Sequence, residues 1–507
     1  MAAASVVEDW PPKRDATAQL VATNLTSLAF FWKAPIDGDA KELGSRIEES
    51  AFQVASSGDG GDPVAAVKIY AREVSRMMLE ALGFAMEAPG TVKDEQCFDI
   101  SAGQRAFLTK ELAEELLLPL ETSRYSKICF SNKSFGRDAA VVVARFLSKV
   151  KSSLQDVDFS DIVAGRPEDE ALEVMRTLAL ALEGSKLRSL NLSDNALGEK
   201  GVRAFAPLLK SQESLEELSF MNNGISKEAA RAICEIVTTG SSLKLLHFHN
   251  NMTGDQGARS LAKLVEKAVQ LENFRFSSTR VGEEGAVALA SAIAGGSKLK
   301  VLDLRDNMYG PGGGVALGKA LRQHGGLTHV YLSDLSLEDA GSTPILEALA
   351  SGTRSIKVLE FGNNEITHSS AKALAAFIAA NKELAKLNLS ENELGDKGAV
   401  MVSAAVKASC SKLEELDLSS NSLSRVGALA AAEAVAGKPG FKLLGMDGNR
   451  ISSFGLDEVR SVLKSGVGIS GLGPLEDNDD EAGSDEEDGD EDGEDGLEEE
   501  LKGLSLK

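Results

Sequence analysis

Side chains able to do chemistry are few in this sequence and widely scattered. His247 and His249 alternate on one short segment, as a pair of metal ligands might, but the chain holds only 5 His and no third ligand stands near them, so no metal site is expected. Cys97, Cys129, Cys234 and Cys410 lie far apart without a CxxC pair, which fits reduced, mostly buried thiols rather than a disulfide framework or a thiolate metal site. The glycine cluster GPGGGVALG from Gly310 lacks the lysine of a phosphate-binding GxxxxGK[ST] loop and reads as a turn. No Ser or Cys sits in a signature such as GxSxG, so hydrolase chemistry has nothing to rest on. What remains is suited to binding. Arg166 precedes Pro167, which restricts it toward extended backbone in a loop. Asn222 stands in MNNG, and acids recur at Asp161, Asp194, Asp306, Asp334 and Glu391. Each has a plainer alternative: Arg166 could be a solvated rim residue, the amide of Asn222 could face a partner or merely water, and the acids could meet a basic patch or form a solvated face.

The elements that hold these residues are repeats. LRSLNLSDNALG from Leu187, LEELSFMNNGIS from Leu215, LKLLHFHNNMTG from Leu243, LENFRFSSTRVG from Leu271 and LKVLDLRDNMYG from Leu299 begin 28 residues apart. The series runs on from Leu327, Ile356, Leu384, Leu413 and Phe441, and back to Leu154 and Tyr125, giving twelve units at steps of 28 or 29 residues apart from one step of 33. Such a period with apolar residues at the first, fourth and sixth positions is the mark of a leucine-rich repeat. Those residues point into the stack from a short strand, and the ones between face a concave side. At the ninth position Asn195, Asn223, Asn251, Asn307, Asn364, Asn392, Asn421 and Asn449 recur, where an amide turned inward would satisfy buried turn backbone. Thr279, Leu335 and Lys133 depart from that rule. Asn222 and the recurring acids all fall on the eighth position, which should face outward. A helix such as GEKGVRAFAPLLKS follows each strand, with small residues that permit the turn and a close helix approach. The fold class is therefore α/β, a solenoid of parallel strands and outer helices. Twelve strands at about 4.8 Å spacing give a concave face on the order of 50 Å long, which suits a folded protein partner.

Three regions follow: 1–120, helical with a connector helix in QRAFLTKELAEELLLPL; 121–470, the repeats; and 471–507, an acidic tail. In the first, Val67, Tyr70, Val74, Met77 and Ala81 form one apolar stripe at helical spacing. The net charge of −23 misleads, because Glu476 to Glu500 holds 17 acids and no base; the remaining 60 acids against 54 bases give −6. A nucleic-acid partner, which needs a basic face, is not expected. The Gly-punctuated tail cannot bury enough apolar surface to fold and should be disordered. The N-terminus lacks a basic segment followed by an apolar one, and nowhere are there about 18 consecutive apolar residues. A soluble chain without direct membrane insertion is expected.

At FSDIVAGR, LSDNALG and MNNG, in repeats similar to those of ribonuclease inhibitor and with an acidic tail behind them, the chain resembles the Ran GTPase-activating proteins. Its WPPKRD, with Trp10, Pro11 and Pro12, looks like the start of the WPP domain carried by the plant members, so the resemblance covers nearly the whole chain. The resemblance implies an activator that is not itself an enzyme. It would bind GTP-loaded Ran at the repeat edge and orient Ran's own glutamine and attacking water without donating an arginine finger. Asn222 would help to order that region and Arg166 would support binding or orientation, with Asp161 and Asp194 as further contacts. GTP and Mg²⁺ would belong to Ran, leaving this chain with no cofactor. The WPP domain implies docking to coiled-coil proteins of the outer nuclear envelope, a cytoplasmic and nuclear-rim location, and redistribution to the phragmoplast and cell plate in division. Trp10 and the prolines could equally serve as a core plug and a helix start. A leucine-rich-repeat scaffold or inhibitor without any rate effect shares the fold; an immune-type receptor fragment would call for a P-loop module, which the sequence lacks.

Overall fold

The computed structural model describes residues 97–478 except 122, 123, 238, 239 and 354, together with 40–56 and scattered positions between 14 and 81. The chain divides into two compact units, 1–95 and 96–507. In the first, the helix Ala40–Ser56 buries Ile47 and Ala51, four residues apart on one face. Ile47 packs with Val21, Leu25 and Met78, and Ala51 with Tyr70; Val74, Met77 and Ala81 flank these clusters, while Val67 of the expected stripe lies outside the described residues. Glu48 is buried and accepts from Arg14 Nε at 3.1 Å and Nη2 at 2.9 Å and from the Tyr70 hydroxyl at 3.1 Å. Burial, with the Glu48 carboxylate alongside, pushes the Tyr70 phenol up to about 12.

The second unit is built on a 13-stranded parallel sheet whose strands follow one another in chain order, with helices after most of them. Each strand is three residues long. Its central side chain is buried while its neighbours are mostly half exposed, as period-2 alternation requires (Leu190, Leu218, Leu246, Phe274). The sixth-position residues stack from unit to unit: the rings of Phe220 and Phe248, and of Phe248 and Phe276, lie 5.5 Å apart. Burying one such ring is worth roughly 1.5–3 kcal/mol, so the stack stabilises what no single unit could hold.

Two local features differ from the sequence expectation. The first strand of the sheet, Cys97–Asp99, pairs with Lys127–Cys129, so the sheet starts ahead of residue 121. The expected connector helix is shorter: Ala106–Leu108 is a strand paired in parallel with Lys133–Phe135, and the helix occupies Lys110–Leu117. Thr109 sets that start, its hydroxyl accepting from Leu112 N at 3.5 Å. Beyond 470, Leu472 bridges Leu444, and Asn478 Oδ1 accepts from Asn449 N at 2.9 Å. Residues 479–507, most of the acidic tail, lie outside the described residues.

Ninth-position asparagines form the buried spine that the repeats require. Asn195 Nδ2 donates to Phe159 O at 2.7 Å and Leu192 O at 3.1 Å, and its backbone N–H donates to Asn223 Oδ1 at 2.9 Å. Asn223 repeats the pattern with Leu192 O and Asn251 Oδ1. At the exceptions the spine is patched. Thr279 donates its hydroxyl to Asn307 Oδ1 at 3.0 Å, and the buried Lys133 ammonium donates to the carbonyls of Ser101, Ala102, Gln104 and Asn132 at 3.1–3.4 Å. Leu335 offers no amide, and Asn307 N turns to Asp334 O at 3.0 Å instead.

Helix starts are capped across repeats. Asp255 accepts from Gly282 N and Gly285 N, and Asp396 from Ser424 N and Gly427 N. Glu283 does the same for the glycine cluster, accepting from Gly312 N at 3.0 Å. A Cβ on Gly314 would stand 2.6 Å from Gly341 Cα and one on Gly318 2.7 Å from Pro344 O, so the backbone of the next helix explains these glycines without any phosphate. Among the described residues no helix is long and apolar enough to cross a membrane.

Candidate functional site

Why Asn and Asp crowd the eighth position is a backbone matter first. Asp161, Asp194, Asn222, Asn250, Ser278 and Asp306 all have φ between 51° and 62°, the left-handed region in which short polar side chains are best tolerated after glycine. Each turn is fixed by its neighbour: Asp194 N donates to Met221 O at 2.8 Å and Asn222 N to His249 O at 2.9 Å. The side chains therefore project from one edge of the sheet at positions set by the stack.

On that edge three of them are linked. Asn250 Nδ2 donates to Asn222 Oδ1 at 2.7 Å, and Asn222 Nδ2 donates to Asp194 Oδ1 at 2.7 Å. All three residues are exposed. The Asn222 amide, which by sequence could face a partner or water, is engaged at both ends and presents a fixed orientation to solvent. The sequence carried a signal for Asn250, the same position one unit on from Asn222 in HNNM, that went unused.

Arg166 is not a solvated rim residue. Its Nε donates to Ser134 Oγ at 3.0 Å, its Nη2 to Ser134 O at 2.9 Å, and its Nη1 lies 3.5 Å from Glu170. The guanidinium stands 5.2 Å from the centre of the Phe107 ring, and only 17% of the side chain is exposed. Asp161 is likewise committed, held by Arg105 Nη2 at 2.5 Å and Nε at 3.1 Å with 15% of its side chain exposed. It is not the open acid expected, because a cation from outside the repeat series neutralises it. Asp194 is exposed, with Asn222 as its hydrogen-bond donor.

Asp194 joins two open grooves. One, about 730 Å³, is lined by Arg166, Asp194 and Lys200 among others; the second, about 670 Å³, runs from Asp194 and Asn222 past Met252 and Arg280 to Asp306 and Met308. Arg166, Asp194 and Asn222 are therefore brought to one continuous edge, whereas Asp161 is withdrawn from it. Trp10, Pro11 and Pro12 lie outside the described residues. Nothing in the sequence pointed to Ser134, Phe107 or Arg105, since their partners are 32, 59 and 56 residues away in the chain.

The concave face of the later units is occupied by its own ion pairs: Asp303 with Arg275 and Arg305, Glu360 with Arg305 and Lys386, and Lys386 with Glu415. His247 Nε2 lies 3.0 Å from Asn273 Oδ1 and His249 Nδ1 3.0 Å from Ser277 Oγ, so each imidazole is tied to the next unit rather than to its fellow. Burial pushes the His247 imidazole below its ordinary value. Among the described residues there is no cluster of three or more His, Cys, Asp or Glu that could hold a metal ion. The edge can bind and orient a partner through fixed amides, a carboxylate and a clamped guanidinium.

Comparison with known proteins bears on who that partner is. A WPP domain matches residues 6–89, and leucine-rich repeats match 185–206, 211–234, 380–403 and 409–430. RAN GTPase-activating protein 2 of Arabidopsis thaliana is 54% identical over 495 residues, covering 93% of this chain and 90% of that protein. RAN GTPase-activating protein 1 of the same plant is 48% identical over 42% of each chain. Ran GTPase-activating protein 1 of Xenopus laevis is 36% identical over 106 residues, 20% of this chain and 18% of its own. With its WPP domain, its repeats and identity along almost its whole length to one plant member, the chain belongs to the family of Ran GTPase-activating proteins.

Proposed function

We propose that this chain accelerates GTP hydrolysis by Ran, binding the GTP form at the edge around Asp194 and Asn222 and leaving the chemistry to Ran's own glutamine, water, Mg²⁺ and nucleotide. The observation that carries this reading is the Asp194–Asn222–Asn250 ladder: an exposed amide already oriented by two hydrogen bonds of 2.7 Å. A donor or acceptor held in place before the partner arrives costs nothing to reorganise during reaction. Arg166 supports the same reading by what it cannot do. An arginine finger must reach into its partner's active site and is worth about 10³ to 10⁵ in rate, but this guanidinium is spent on Ser134, Glu170 and Phe107. Its role is to shape the edge, and the chain itself is not an enzyme.

The WPP unit serves targeting in this proposal. It docks to coiled-coil proteins of the outer nuclear envelope through Trp10, Pro11 and Pro12, holding the activator at the cytoplasmic side of the nuclear rim and passing it to the phragmoplast and cell plate in division. Replacing the three residues with Ala should release a fluorescent fusion from the rim, and a persistent rim signal would remove that assignment.

Single-turnover GTP hydrolysis by purified Ran, with and without a catalytic amount of the full chain, tests the main reading. A large acceleration is expected; its absence with a folded chain would leave a binding scaffold as the better account. Arg166→Lys should slow the reaction, since one ammonium cannot reproduce the planar grip on Ser134 Oγ, Ser134 O and the Phe107 ring.

A further inference from the structure

Phe107 exposes 55% of its surface beside the candidate edge, although a ring of that size is normally buried. What it touches explains why it is there. Its face carries the Arg166 guanidinium at 5.2 Å, and a Cβ on the neighbouring Gly165, whose φ is +74°, would stand 3.1 Å from its Cζ. Ser134 and Glu170 hold the guanidinium by its polar edges, so the ring fixes the remaining degree of freedom, the face. Two residues back on the same segment, Arg105 holds Asp161, the eighth-position residue of the unit that carries Arg166.

The segment is itself well anchored. Ala106–Leu108 pairs in parallel with Lys133–Phe135, so the strand that supplies Phe107 is bonded to the one that supplies Ser134. Leu108 is buried, and the Lys133 ammonium gathers the carbonyls of Ser101, Ala102 and Gln104 just ahead of it.

We infer that residues 105–108 are a positioning element for the GTPase-contacting edge, with Phe107 acting through Arg166 and the Arg105–Asp161 pair tying the segment to the same repeat unit. This inference rests on the proposed activation of Ran. Phe107 is a positioning residue in it, and its exposed ring does not have to touch the partner. Holding a binding group within a fraction of an ångström of its productive place is what such supporting contacts supply, and losing that order costs on the order of 10- to 100-fold in rate.

The test is a double-mutant cycle on the full chain, measuring kcat and KM for turnover of GTP-loaded Ran with Phe107→Ala, Arg166→Ala and the two combined. Phe107→Ala should lower kcat/KM by roughly 10- to 100-fold with little change in the melt, and should cost nothing further once Arg166 is gone. Phe107→Leu, which keeps an apolar side chain but removes the ring face, should lose about as much, and Phe107→Tyr should restore the rate. If the two losses multiply, the ring meets Ran directly and the inference fails; it fails too if Phe107→Ala is as active as the natural protein. Those results would leave the activator reading standing, because the unmodified chain would still accelerate Ran. An unmodified chain without effect on Ran would remove both.

Discussion

Asn222 offers the sharpest test, because two explanations for its identity make different predictions. Its φ of 52° alone favours Asn, and its amide alone could orient a partner. Asn222→Ala removes both features at once. The left-handed backbone then costs about 1–2 kcal/mol for a residue with a Cβ and no local polar group. The two lost hydrogen bonds are exposed, which puts each near the lower end of roughly 0.5–1.5 kcal/mol. The total, about 2–3 kcal/mol, is confined to one turn of a stacked array whose neighbouring units keep their own interfaces. Asn222→Gly separates the causes: glycine accepts the left-handed backbone without a steric cost, so only the amide is lost and the melt should stay close to that of the unmodified chain. If the amide orients Ran's catalytic region, removing it should lower kcat by about 10² to 10³, as losing one preorganised donor typically does. Single-turnover hydrolysis by Ran measured with Asn222→Gly decides the matter. Full acceleration by that variant would refute the reasoning, and Asn222 would then be explained by its backbone alone.

The neighbouring Asn223→Ala should behave in the opposite way. It strands the buried Asn195 N–H, while the Leu192 carbonyl keeps its bond from Asn195 Nδ2, costing about 1–3 kcal/mol, so chemical denaturation should show a loss of stability that precedes any specific loss of rate. In the N-terminal unit, the Tyr70 phenol is raised to about 12 from an ordinary value of 10. A raised folded-state value means that its stabilisation is complete below about pH 10 and is lost as pH rises through about 12. Phenolate absorbance followed against pH should therefore lag in the folded chain, and Tyr70→Phe should remove its share of that lag, leaving the part due to Tyr309 and Tyr331, whose phenols burial also pushes up. Glu283→Gln should weaken the cap on the glycine-rich helix start, where the carboxylate accepts from Gly312 N at 3.0 Å. The expected loss, that of the charge beside the helix start, is about 0.3–1 kcal/mol, read as faster amide exchange at Gly312, Gly313 and Gly314.

The order of the sheet, the buried first, fourth and sixth positions and the Asn spine were legible in the sequence. They follow from a period of 28 residues and from the need to satisfy every buried backbone group, and both constraints repeat in each unit. The eighth-position Asn and Asp could also be seen, although as an acidic line rather than as a left-handed turn that selects those residue types. What the sequence could not say is which exposed polar atoms remain available. Asn222 is engaged by the same position of the units on either side, a pairing that depends on stacking register. Arg166 and Asp161 are held by Phe107 and Arg105, from a short strand outside the repeat series that had the look of a helix. A periodic pattern fixes burial and backbone conformation because each unit solves the same local problem. The pairing of surface charges was decided only by the tertiary structure, where a non-repeating segment closes the end of the stack and brings its side chains to the edge.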